Sequence, residues 1–315
     1  MLNKDKLNAV FDTVRAEWER LRTAIKATFN EWALILPSTG SSETYVWTEL
    51  LVQIREWIGE RVFGNIKAQN WTIVNRKFEG SFKVDVDEIE DNRLGTVPAK
   101  VQDLYAAATF HPEKLLEEVA LAGFTTVCFD GQLFLDSDHP SLTGDGTTVS
   151  NVSTDPLDYD NARKAVNEFF PMIQGGTGVP LDIEVYAIMV GPSLLGTANS
   201  LFNDEKKPNS LTESNQLRGR AKPVLNRRFV GAYANYWIVM ARFRGSSLTP
   251  FIYQERKTAE LKSTTIEVGG GMAGADGQDF MQFMEDAVAF GTKHRGNATF
   301  TMWCLAYGST GSGAA

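Results

Sequence analysis

The hydrophobic period of this chain changes early, from about 3.5 residues to two, and a chain that does this commits both helix and strand to its core. Leu7, Phe11, Val14, Trp18, Leu21, Ile25 and Phe29 recur at spacings of four and three, with Lys, Arg, Asp and Glu between them. That predicts an amphipathic helix whose seam runs for roughly three heptads, close to the minimum for a coiled coil. Two destinations are open to it: the chain's own core, or a neighbouring subunit that it reaches as an N-terminal arm. Across residues 71–86, Phe78, Phe82, Val84 and Val86 share one face, while Lys77, Glu79, Ser81, Lys83 and Asp85 share the other. The alternation predicts a hairpin with its tip at Asn75, Arg76 and Lys77. An isolated two-stranded ribbon is marginal in water, so it must lean on something, a second copy included.

The remaining elements follow from period and punctuation. Val46, Leu50, Ile54, Trp57 and Ile58 predict a second helix after the breaker cluster at residues 37–42. Val101, Leu104, Tyr105 and Ala108 predict a third, and Pro112 stands where it would open a separate one ending at Gly123. A buried strand is expected at 124–129, a long polar loop at 141–155, a helix at 159–172, a strand at 183–190 and a helix from Pro192 to Phe202. Strands are expected again within 223–244 and at 251–255. Beyond the glycine-rich run at 269–277 lie a helix or strand at 280–290 and two strands hinged at Arg295, Gly296 and Asn297. Strands cluster rather than alternate with helices, which makes the class α+β.

With 43% hydrophobic residues in 315, the chain has ample material for a large core, which excludes disordered and disulfide-scaffold classes. Thirty-one basic residues against thirty-nine acidic give a formal charge of -8, so the molecule as a whole does not attract nucleic acid or an anionic membrane. A local patch remains open: Arg218, Arg220, Lys222, Arg227 and Arg228, interleaved further on with Phe229, Tyr233 and Tyr236. These side chains are either ion-pair partners within or between subunits or a contact with nucleic acid. Cys128 and Cys304 lie in apolar segments and read as reduced, core-filling thiols. No apolar run approaches the ~20 residues that cross a bilayer, so no membrane contact is expected.

One cluster invites an enzymatic reading. Asp136, Asp138 and His139, with His111 elsewhere in the chain, place carboxylates and imidazole at short spacing, the donor types of a divalent metal site and of a metal-dependent hydrolase. The same residues are explained equally by Asx turns, in which short side chains bond nearby backbone amides. There is no HExxH, GxSxG, CxxC or P-loop, and the glycines at 175–178 and 269–271 do not sit between a strand and a helix as a dinucleotide site requires. No catalytic residue, cofactor or metal is therefore assigned.

A series of motifs runs in one order: Arg55-Glu56-Trp57-Ile58-Gly59-Glu60-Arg61; the stretch from Trp71 to Glu79; Ile89-Glu90-Asp91-Asn92; Phe129-Asp130-Gly131; the stretch from Phe134 to Pro140; Ser150-Asn151; then Phe290-Gly291 and Trp303. In that series the chain resembles the major head subunit family of Mu-like tailed phages and prophages, similar in fold to HK97-type capsid proteins. The resemblance implies an α+β shell subunit: an N-terminal arm at 1–42, a joining helix at 43–64, an extended hairpin loop at 65–92, a peripheral domain with a spine helix at 93–158 and 245–315, and an axial domain at 159–244. It implies a major capsid protein that assembles with itself into pentamers, hexamers and an icosahedral shell around double-stranded DNA, which it contacts non-specifically. A separate scaffold, a maturation protease and a portal at one vertex are the other implied partners, with assembly in the host cytoplasm and residence in the virion. Leu7, Phe11, Val14, Trp18, Leu21 and Ile25 of the arm, and Arg76, Lys77, Phe78, Glu79, Phe82 and Lys83 of the loop, would then be inter-subunit contacts. Arg218, Arg220, Lys222, Arg227 and Arg228 would face the interior or an interface. No crosslinking set is assigned, and a tail or baseplate component is the related alternative.

Overall fold

Two sheets and one long helix organise the chain, in a computed structural model that describes residues 4–48, 68–91, 93–175, 178–208, 210, 212–263 and 287–313. The first sheet orders its strands β1 (Leu34–Pro37), β11 (Phe251–Ser263), β12 (Ala287–Phe300) and β4 (Arg76–Asp85). β1 runs parallel to β11, and the other pairs are antiparallel. The second orders β7 (Val152–Ser153), β13 (Ala306–Ser309), β10 (Trp237–Phe243), β8 (Ile183–Val190) and β9 (Lys222–Leu225). Two short pairs stand apart: β2 (Ser42–Thr48) with β3 (Ala68–Val74), and β5 (His139–Pro140) with β6 (Thr148–Val149).

The helix α3 (Val97–Ala122) passes straight through Pro112, where the sequence predicted a break. At ~1.5 Å per residue its 26 residues span about 39 Å. Packing overrides the missing amide: Val101, Leu104 and Tyr105 are buried in one core, and Leu115, Leu116 and Ala120 in another. Each half of the helix is anchored separately, so the interruption between them is tolerated.

The first helix, α1 (Lys4–Ala24), turns its seam inward. Val10, Val14, Trp18 and Leu21 are buried against α3, β4 and β12, with Trp18 edge-on to Tyr105 at 4.8 Å and Phe11 edge-on to Phe290 at 5.4 Å. Of the two destinations open to this helix, the structure fills the seam from the same chain. Val14, Trp18 and Leu21 are thereby covered within one copy. Phe11 and Ile25 are partly covered, and the side chain of Leu7 lies outside what is described.

The hairpin expected at 71–86 does not form. β3 pairs with β2, Ser42 opposite Val74 and Tyr45 opposite Trp71, whereas β4 pairs with β12, Phe82 opposite Phe290 and Lys77 opposite Arg295. Asn75, expected at an exposed tip, is buried where the chain crosses between them. Its Nδ2 donates to Ser38 Oγ at 2.8 Å and to the Gly40 carbonyl at 3.0 Å, and its Oδ1 accepts from Gln254 Nε2 at 2.8 Å. The alternating ribbon therefore leans on its own sheet, with Phe78 and Phe82 turned toward α3. Val46, expected in a helix, lies in β2; the rest of that pattern, residues 49–67, lies outside the described residues, as does 264–286 with the glycine-rich run.

Three other expectations shift. Residues 124–129 form turns with a single bridge, Val127 to Leu133, rather than a strand. Gly296 is interior to the continuous strand β12, not a hinge: a Cβ there would collide with the Tyr253 hydroxyl of the neighbouring strand. The closing strands also part company, β12 going to the first sheet and β13 to the second. The helix at 159–172 forms as α4 (Tyr159–Lys164), a π-helical turn (Ala165–Phe169) and α5 (Phe170–Met172); α6 (Leu195–Asn203) follows β8. Together these helices bury Val166, Phe170, Leu201 and Phe202 against Ile188, Trp237 and Val239.

Candidate interaction surfaces

The strongest local basic run is held by acids of the same chain. Arg227 Nη1 donates to Glu113 Oε1 at 3.0 Å and to Glu117 Oε1 at 2.8 Å, joining the loop after β9 to the second half of α3. Both carboxyl side chains are almost fully buried, and Arg227 is 59% exposed. Burial pushes the Glu117 carboxyl above its usual range while Arg227 pulls the other way. Arg228 pairs with Glu118, Lys222 with Glu31 and Arg218 with Glu205 at 3.8 Å. Arg220 is exposed. Of the two readings open to these residues, the intramolecular ion pair accounts for Arg218, Lys222, Arg227 and Arg228.

The residues of the metal reading are not brought together. Asp136 spends its oxygens on nearby backbone amides, Oδ2 accepting from Leu133 at 3.1 Å and Oδ1 from Ser137 at 2.6 Å, although neither bond spans the two residues of an Asx turn. Asp138 is exposed, and His111 lies against His294, with Nδ1 and Nε2 3.0 Å apart. His139 is fully buried, stacked on Trp303 at 4.3 Å, with Nδ1 2.7 Å from Asp130 Oδ2.

The thiol of Cys128 donates to Asp130 Oδ1 at 2.8 Å, which makes a second donor trio that the sequence reading did not single out. Its spacings are those of hydrogen bonds, shorter than the about 3.4 Å between ligands of a tetrahedral zinc with ~2.0–2.3 Å bonds. Burial and the Asp130 carboxylate push the Cys128 thiol well above its ordinary range, so it is not a thiolate. Burial raises the Asp130 carboxyl, but hydrogen bonds from His139 and Cys128 outweigh it and hold it low. The trio is a hydrogen-bonded structural knot beneath the turn at 130–140, in which His139 Nε2 is buried without a hydrogen-bond partner. Cys128 and Cys304 are buried and unbridged, as the sequence implied.

What remains at the surface is organised by the first sheet. Its inward face, including Phe82, Val84, Val288 and Phe290, is sealed by α1 and α3. Its outward face carries charge, with Lys77, Glu79, Lys83 and Lys293 exposed. The β2–β3 ribbon is tied to this sheet at its base: Trp71 Nε1 donates to Thr299 Oγ1 at 3.2 Å, and Asn297 Nδ2 to the Val74 carbonyl at 3.0 Å. No described helix is long and apolar enough to cross a membrane.

The fold has a long helix, a sheet with one charged face and a ribbon tied to that sheet at Trp71 and Val74, and comparison decides the family. Residues 7–156 and 224–313 match the family model described as Mu-like prophage major head subunit gpT. The chain belongs to that family. It is 26% identical over 287 residues to the Mu-like prophage FluMu major head subunit of Haemophilus influenzae, across 90% of this chain and 66% of that protein. It is 32% identical over 129 residues to the major capsid protein of Escherichia phage Mu, across 39% of this chain and 42% of that protein. The matched stretches thus span two thirds or less of those relatives' own lengths. Among solved structures, the procapsid of bacteriophage JBD30 is similar with a TM-score of 0.58 at 25% identity, covering 98% of this chain and 75% of that one. A virus-like particle from Pyrococcus furiosus shares the fold, with a TM-score of 0.50 at 11% identity over 97% of this chain and 98% of that one. The fold is the HK97-like capsid fold, and these relatives and neighbours are structural capsid proteins rather than enzymes.

Proposed function

We propose that this chain is the major capsid protein of a Mu-like phage or prophage head, forming pentamers and hexamers that close an icosahedral shell around double-stranded DNA. The observation that carries the reading is the likeness to a procapsid subunit along 98% of the chain, combined with the family match at both ends. A shell subunit touches several neighbours at once, and contacts of ~1,600 Å² each, acting together, lock what none would hold alone. The β2–β3 ribbon supports it as the extended loop, which moves that element from 65–92 to residues 42–74. A net charge of -8 suits a container that must not grip its DNA tightly. Scaffold, maturation protease and portal are the partners such a subunit needs, with assembly in the host cytoplasm.

The test uses the ribbon. Thr48 lies opposite Ala68, so a short turn replacing residues 49–67 can close the pair while every described strand keeps its sequence. The variant is expected to fold and melt like the full chain yet leave capsomers that do not close, seen by negative-stain microscopy. Unchanged shells would contradict the assignment of the loop.

A further inference from the structure

The outward face of the first sheet holds an arrangement that the described residues of one copy leave unsatisfied. Alternation along β4 and β12, continued through the register of β11, brings Lys77, Lys83, Lys257, Lys262, Lys293 and Arg295 to that face, against three acids, Glu79, Glu260 and, at the far end of β4, Asp85. Arg295 lies between Lys77 on one neighbouring strand and Lys257 on the other, a row of three like charges. Like charges directly opposite one another weaken a sheet. Lys257 is relieved by Glu260 at 2.8 Å, but Lys77, Lys262, Lys293 and Arg295 form no ion pair with any described residue, and Arg295 Nε is buried without a hydrogen-bond partner.

The same strand leads into the opposite charge. β4 ends at Asp85, whose carboxylate caps α2 (Val86–Glu90) by accepting from the Asp87 amide at 2.9 Å. Asp87 and Asp91 are exposed there, with Glu88 3.7 Å from Lys100 and Asp91 3.2 Å from Arg93. At ~3.4 Å per residue, Lys77 and Asp85 stand about 27 Å apart along the strand. The basic row and the acidic corner are therefore too distant to neutralise each other within a copy, since the Debye length is ~8–10 Å at ordinary salt.

We propose that the basic outward face of this sheet docks onto the acidic α2 corner of a second copy, head to tail. Such a contact is heterologous: each copy offers one pole to each of two neighbours, and repetition closes rings. The contact deepens the shell reading and rests on it. Packaged DNA is the other anion at hand, but Glu79 and Glu260 both lie opposite Lys293 at the middle of the face, where a phosphate backbone would be repelled and a mosaic of protein charges would not.

Charge reversal tests it. The face variant carries Lys77→Glu with Lys262→Glu, and the corner variant Asp87→Lys with Asp91→Lys. Each alone is expected to lower the assembled fraction at least tenfold in sedimentation, while one chain carrying all four changes regains assembly. An equal mixture of face and corner variants is expected to give rings with even numbers of subunits only, because the two must alternate. Melting temperatures keep folding apart from docking: Lys77→Glu places an acid opposite Arg295, so the face variant is expected to melt no lower than the unaltered chain. Wild-type assembly by either folded variant, or failure of the fourfold variant to recover, overturns the proposal. So does a face variant that assembles normally but packs less nucleic acid, which would make the face a DNA surface. An unaltered chain that never assembles would instead defeat the shell reading.

Discussion

The two sheets differ in how many faces they bury, and the difference separates what holds one copy together from what is left for its neighbours. In the five-stranded sheet, Trp237 to Ala241 are all fully buried, as are Ile188, Met189 and Val190 beside them. Ile188, Val190, Trp237 and Val239 face the α4–α6 core, while Met189, Ile238 and Met240 face the core shared with the second half of α3. Such a sheet reads as a continuous apolar run. The four-stranded sheet, where β4 pairs with β12, buries one face under α1 and α3 and keeps charge on the other, so β4 reads as alternation, although β11 opens with four buried residues, Phe251 to Gln254. A sheet closed on both sides stabilises a fold without a partner. A sheet closed on one side leaves a surface on which another molecule can act.

Truncation should separate the two sheets most sharply. Trp237→Ala, at the centre of the doubly covered sheet with its indole N–H donating to the Asp155 carbonyl at 3.0 Å, is expected to cost about 3–5 kcal/mol and lower the whole melting transition. Trp18→Ala, on the single covering layer, is expected to cost about 2–4 kcal/mol and to loosen α1 first, visible as faster hydrogen exchange confined to α1, α3 and β12. If both variants melt as one unit with equal loss, the two sheets do not differ as argued.

The join between the regions ranks next. Arg227→Ala strips the partner from two buried carboxylates and is expected to cost about 2 kcal/mol at neutral pH, tempered by the exposure of the guanidinium. The loss should shrink in acid, as the Glu117 carboxyl, raised by burial, takes up a proton. A change below ~0.5 kcal/mol would show that Arg227 contributes little to holding the loop after β9 against α3.

A smaller, pH-dependent effect belongs to the one-sided sheet. Burial and the facing His111 push His294 down to about 4, and burial, then Lys114, also lowers His111. Phe78 stacks on the pair at 5.2 Å from His294, and Arg76, on the same strand, lies over Phe78. Glu118 on α3 pulls His111 the other way. The folded state prefers neutral imidazoles, so this stabilisation is complete above the ordinary value of ~6.5 and lost as pH falls toward 4. Roughly 1–2 kcal/mol should disappear over that window, and His294→Gln should flatten that part of the profile in denaturant titrations. An identical slope in the variant would show that the pair is not the cause.

What the sequence revealed follows the same division. The seam of α1, the helix at 159–172, β8 and α6 were legible because each depends on its own period. Pairing was not: alternation showed that residues 76–85 form a strand, but β12, far along the chain, displaced the adjacent β3 as partner. Pro112 misled because local punctuation carries no knowledge of the two cores that grip α3 on either side. Val46 to Ile58 has helical spacing, yet Val46 is claimed by β2 through pairing with Asn70. Among candidate site residues, the basic run was visible, but Glu113 and Glu117 as the partners of Arg227 were not, since nothing local links them. The Cys128–Asp130–His139 knot was hidden for a similar reason: the more conspicuous Asp136 and Asp138 shared the segment with His139.

Imaging the purified full-length protein by electron microscopy across a concentration series, with sedimentation run in parallel, bears most directly on whether this fold is built for a lattice. Rings of five and six and closed shells are expected as concentration rises; a single monomeric species at every concentration, with or without a scaffold supplied, would contradict it.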